Sequence, residues 1–291
     1  MKTKPGIVML FSVIFLMMIC PQAFAHNLWL NPGDYYPPVG TTVDIGIGWG
    51  HKYPADRTDQ EFKEGRMEDI RAVDPDGLIV NLVQKSVSLY SLKVEKAGAY
   101  LVTARIKPGF FTKTPDGRKW GDKKAVENPI KCTNYHIEAK TVIIAGGEEK
   151  NLGNAVNRPL ELIPLENPLN LKGGDDFTVK VLYHGKPLPG LSVKATYAGF
   201  EGADVGGHAA QEKGRPGKDV RKGSGQASPE KARRPVRHVP VETVTDGHGQ
   251  AIIQLDKAGY WMIMLSHRPP YPDKETCDQY MFNTTFTFQV K

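Results

Sequence analysis

The chain has 291 residues, 40% of them apolar, and carries 38 Lys and Arg against 32 Asp and Glu. That length suits two domains with cores of their own. The excess positive charge does not describe a nucleic-acid surface: segment 201–238 holds nine Lys/Arg and five Asp/Glu, Lys2 and Lys4 precede the first apolar run, and the rest is balanced, so no basic face is spread over a fold.

Residues 1–25 read as a secretory signal. Lys2 and Lys4 supply the positive start, Ile7 to Cys20 is apolar, and Ala23 and Ala25 form the small-residue cleavage pattern. The apolar run is shorter than a comfortable transmembrane helix, and no other stretch approaches about 18 apolar residues. The expectation is a mature chain without a transmembrane segment, exported to a periplasm. Cys20 raises a lipoprotein alternative, weakened because Ile19 stands where a small residue is wanted.

Cleavage after Ala25 makes His26 the first residue. A terminal histidine can chelate one ion through its α-amine and Nδ1. The amine's ordinary pKa, about 7.7–8.0, makes deprotonation cheap near neutral pH. Nitrogen donors suit nickel and copper, with copper the tighter in the usual affinity order. Residues 41–50 alternate Val43, Ile45, Ile47 and Trp49 with small or polar partners, the period of a strand. His51 follows directly, in a loop between Gly50 and Pro54, and loops at strand ends present ligands. If residues 26–30 form an edge strand beside 41–50, His26 and His51 meet at one end of the sheet.

Further strands are expected at Met67–Val73, Ile79–Val83, Ser88–Val94, Gly98–Ile106 and His136–Ile144, separated by turns at 74–77, 96–98 and 114–117. Pro and Gly turns between 145 and 175 mark a boundary. Beyond it, strands are expected at 177–185, 191–200, on either side of the Asp246–Gly249 turn, at 257–268 and at 283–290. The fold class is therefore all-β: two antiparallel β-sandwich domains in tandem, immunoglobulin-like or prealbumin-like, at 26–150 and 155–291. Segment 201–237, with seven glycines, three prolines and no aromatic residue, is expected to be a disordered basic insertion in the second.

Cleavage removes Cys20. Cys132 and Cys277 remain, able to form one disulfide between the two halves or to stay free. Trp29, Trp49, Tyr100 and Trp261 read as core, whereas Trp120 lies in a polar stretch and is harder to place there. Among the other histidines, His267 ends a strand and completes a metal site if the second domain packs end to face on the first, with Asp278 and Tyr280 close by. His136, His184, His208, His238 and His248 read as solvated or structural. No GxSxG, HExxH or P-loop signature occurs, so no enzyme class is indicated.

Together, the mature start AHNLWLNP, GWGHKYP at 48–54, VLYHGKPLPGLSVKATY at 181–197, TDGHGQAIIQLDKAGYWMIMLSHR at 245–268 and the terminal FTFQV resemble an uncharacterised-domain family of periplasmic proteins associated with nickel and cobalt uptake. The resemblance implies a non-enzymatic carrier that binds Ni²⁺ or Co²⁺ (Cu²⁺ is also compatible) through His26 and His51, and passes it to a membrane transporter of the energy-coupling-factor type. The long charged insertion departs from that pattern. Two other classes fit the residues: a carbohydrate- or protein-binding adhesion module without metal, and a copper histidine-brace oxidase.

Overall fold

The computed structural model describes residues 26–50, 53–54, 62–200 and 240–291. The first half supplies β1 (Asn27–Pro32), β2 (Thr42–Gly50), β3 (Met67–Val73), β4 (Ile79–Val80), β5 (Val83–Ser86), β6 (Leu89–Lys93), β7 (Gly98–Ile106), β8 (Gly109–Thr114), β9 (Gly117–Trp120) and β10 (Lys131–Ala145). The second supplies β11 (Leu160–Pro164), β12 (Asp176–Tyr183), β13 (Lys186–Pro187), β14 (Ser192–Tyr197), β15 (Val241–Val244), β16 (Gln250–Gln254), β17 (Gly259–His267) and β18 (Gln279–Val290). Among the described residues the only helical element is a 3-10 turn at Pro168–Asn170, and no helix is long and apolar enough to cross a membrane. The expected signal segment at 1–25 and the expected insertion at 201–237 lie outside the described residues.

The strands make three layers. A central sheet runs β15-β14-β17-β18-β10-β7-β3-β4, with β8 and β9 as a hairpin beside β10. One outer sheet has the order β1-β2-β6-β5, and the other holds β11, β12, β13 and β16. Strand alternation assigns the two cores to opposite faces of the centre. Tyr100, Val102, Ile143 and Ala145 join Leu28, Ile45 and Trp49 in one core, whereas Leu101, Val142 and Ile144 join Phe177, Ile263 and Phe286 in the other. The all-β sandwich expected from the pattern is thus present, with the two cores sharing one sheet.

Pairing is antiparallel except at the seam between the halves, where β10 and β18 run parallel from Thr133↔Gln279 to Thr141↔Thr287. These two strands are largely buried on both faces, and β10 accordingly does not alternate cleanly. They also carry polar groups that must be satisfied inside. The Lys140 Nζ donates to Glu161 Oε1 at 2.8 Å and to the Leu162 carbonyl at 3.1 Å, with both side chains buried. Burial pulls the Lys140 pKa down, and Glu161 partly offsets it. Cys132 and Cys277 are bonded to each other, tying the start of β10 to the residues that lead into β18.

Candidate metal site at the first strand

β1 is the edge strand of its sheet, paired antiparallel to β2 from Asn27↔Gly50 to Pro32↔Ile45. Its other edge is also held. The Thr285 Oγ1 donates to the Leu28 carbonyl at 2.5 Å and the Thr287 Oγ1 to the Leu30 carbonyl at 2.7 Å. The threonines of the NTTFTF stretch therefore brace the first strand from the last. Trp29 crosses Gly48 so closely that no Cβ fits there, and it packs with Tyr53, Met262 and Met264 in a small third core.

His26 precedes this clamped strand. It is half-buried, and its ring stacks on Trp49 with centroids 5.4 Å apart and planes 18° apart. The guanidinium of Arg66 lies 4.2 Å from the centre of the same indole. The ladder ends at the Asn27–Gly50 rung, so the expected edge strand is present and His26 stands at its end. His51 lies outside the described residues, as do His208 and His238.

His267 is not brought to His26. It ends β17 on the face of Ile263 and Leu265, and its ring meets Tyr183 of β12 edge-on at 4.6 Å. His26 instead shares the side of Leu28 and Trp49, across the central sheet. The end-to-face packing that would have joined them does not occur, because the two halves are fused through one sheet. Burial lowers the His267 pKa. Asp278 is occupied structurally: it accepts from Lys123 Nζ at 2.6 Å and from the Cys132 backbone N–H at 2.8 Å. Tyr280 stacks on Phe282. Among the described residues no group of three or more His, Cys, Asp or Glu side chains could hold a metal ion.

A model of a domain of unknown function, DUF4198, matches residues 23–269. The chain belongs to that family. No curated protein matches it. Solved structures similar to this DUF4198 chain include Salmonella α-2-macroglobulin reacted with methylamine (12% identity, TM-score 0.23, 92% of this chain and 15% of that one). They also include the Yersinia pseudotuberculosis adhesin InvE (12%, 0.20, 91% and 59%) and the D00-D0 domain of intimin (13%, 0.19, 91% and 99%). The chain thus spans 15% of the macroglobulin's length and 59% of the adhesin's. TM-scores this low carry no argument about function.

The remaining histidines of the DUF4198 chain have structural surroundings. His136 Nε2 lies 2.7 Å from Asn134 Oδ1, and its ring stacks on Phe282 at 4.8 Å. Burial first, and the Arg105 charge second, lower its pKa. His184 occupies a left-handed turn position at φ 47°, and His248 is exposed in the Asp246 turn. Trp29, Trp49, Tyr100 and Trp261 are all core, as expected, Trp49 and Trp261 from their alternation. Trp120 is the exception: it sits on β9, 71% exposed.

Trp120 belongs to a surface that the polar look of its neighbours conceals. Registers place Phe111 opposite Trp120 on one side and Thr133 on the other, and Lys113 opposite both Arg118 and Lys131. Tyr135 meets Phe111 at 6.3 Å and Trp120 at 5.9 Å, and the Arg118 guanidinium lies 4.6 Å from the Phe111 ring centre. The alternation in FFTKTPDGRKW, either side of a Pro-Asp-Gly turn, is the hairpin signal that points to it.

Proposed function

We propose that this protein is a non-enzymatic periplasmic carrier of a divalent transition metal, nickel or cobalt. Removal of residues 1–25 would expose the amine and imidazole of His26 as the first donors. His51 would add a second imidazole, and the ion would pass to a membrane transporter of the energy-coupling-factor type. The observation that carries the reading is the final β1–β2 rung, Asn27↔Gly50, whose members are the chain neighbours of His26 and His51.

Two further features support it. Trp49 stacks on the His26 ring, and the Thr285 and Thr287 hydroxyls fix the strand behind it, so little ordering remains to oppose binding. A site of two or three nitrogen donors at an edge is open, and cargo must leave as well as enter. The preference for nickel or cobalt comes from the family resemblance, since nitrogen donors alone favour copper.

The test is metal titration of protein beginning at His26 against protein with one glycine added before it, and against His51→Ala. The extension keeps the imidazole and destroys the terminal chelate. The proposal expects each change to weaken Ni²⁺ binding tenfold or more with unchanged circular dichroism. Equal affinity in the extended protein would remove the chelate.

A further inference from the structure

The outward face of the β8–β9 hairpin and the start of β10 combines two rows of side chains. Thr133, Phe111 and Trp120 form one across three strands, and Lys131, Lys113 and Arg118 form the next. Directly opposed like charges cost stability in a sheet, so a row of three cations calls for a reason beyond the fold. These three have no carboxylate within ion-pair distance among the described residues. Two acids of the neighbouring loop are engaged elsewhere: Asp278 with Lys123 at 2.6 Å, and Asp273 with Lys124 at 3.7 Å. A fourth cation, Arg268, lies close enough to Arg118 that the two charges oppose each other, and desolvation followed by that repulsion lowers its pKa.

The aromatic row is equally unusual. Phe111 and Tyr135 meet Trp120 edge-on, at interplanar angles of 86° and 72°, which leaves most of the indole to solvent. The hairpin is held from beneath by Thr112 Oγ1 donating to the Gly121 carbonyl at 2.8 Å and Thr114 Oγ1 to the Gly117 carbonyl at 2.9 Å. Lys123 ties the residues after β9 to the Lys274 carbonyl and Asp278, beside the Cys132–Cys277 bond. The surface is therefore preformed.

We infer that this face binds an acidic oligosaccharide, with a sugar ring stacked on Trp120 and the carboxylates of uronic-acid units on Lys113, Arg118 and Lys131. The two rows are two residues apart along the strands, about 7 Å, and the cations step across strands at about 4.8 Å. A uronic-acid sugar offers an apolar ring face and a carboxylate on the same unit, which is the pairing these rows present. An acidic peptide has the charge without the ring face. Single-stranded nucleic acid offers both, since stacking aromatics beside cations also suit it. The disulfide at the base of the same strand belongs to an oxidising compartment, which favours a glycan. The inference does not depend on metal binding at His26.

The test is calorimetric titration with a four-unit oligogalacturonate, its neutral methyl ester, a polyglutamate peptide and an oligo-dT strand. Trp120→Ala and Arg118→Ala alter exposed side chains, and circular dichroism checks their folding. The expected result is saturable binding of the oligogalacturonate, weakened tenfold or more in each variant and by methyl esterification. No binding by the unaltered protein, unchanged binding in Trp120→Ala, or tighter binding of the peptide or the oligonucleotide would overturn the inference.

Discussion

The Cys132–Cys277 bond cross-links the parallel seam at one end, and its removal has a magnitude that can be worked out. No short turn connects β10 to β18; the two cysteines are 145 residues apart in sequence. Closing a loop of that length removes unfolded-state entropy worth about 5 kcal/mol in the chain-entropy model. Both residues are fully buried, so replacing them with alanine also leaves a small void. The double variant Cys132→Ala/Cys277→Ala should lose about 3–5 kcal/mol of unfolding free energy, since measured losses usually fall at or below the entropic figure. Urea unfolding followed by circular dichroism reads this directly. The denaturant slope should rise, because an unlinked chain exposes more surface when unfolded. A loss below about 1 kcal/mol with an unchanged slope would refute the role given to the bond.

Three further outcomes follow from particular contacts. Lys140→Met leaves the Glu161 carboxylate buried without its cation and should cost about 3–5 kcal/mol in the same urea assay, with Lys140→Met/Glu161→Gln recovering part of the loss. Gly48→Ala places a Cβ 1.8 Å from Trp29 Nε1, so β1 must shift; a loss of about 3 kcal/mol and a changed tryptophan emission spectrum are expected. Asp76 is held down at about 2 by Lys150 first and Lys96 second. A depressed carboxylate stabilises above its unfolded value of 3.8 and loses that contribution as pH falls toward 2, so acid titration of Asp76→Asn should show a shallower decline in stability over that window.

Much of the fold was legible because one-sided strands alternate. Val43, Ile45, Ile47 and Trp49 announce β2, and the same residues line one core. Met67–Val73 and Gly98–Ile106 have the bounds that their turn residues imply. The shared central sheet was not legible. β10 is covered on both sides, so KCTNYHIEAKTVIIA carries no single-face signal, and a parallel pairing between distant strands leaves no turn to read. The expected strand at Ile79–Val83 divides between β4 and β5, the edges of two different sheets. At the candidate site, the edge strand was readable from its place beside β2, but the Thr285 and Thr287 braces come from the far end of the chain. The face of Phe111, Lys113, Arg118 and Trp120 went unread because its charges disguise an ordinary strand alternation.

Anomalous diffraction from nickel-soaked crystals of protein beginning at His26 tests the central claim most directly. The account predicts one strong peak about 2.0–2.2 Å from both the terminal nitrogen and Nδ1 of His26. A peak beside His136, His184 or His267 instead, with the first residue unengaged, would contradict it.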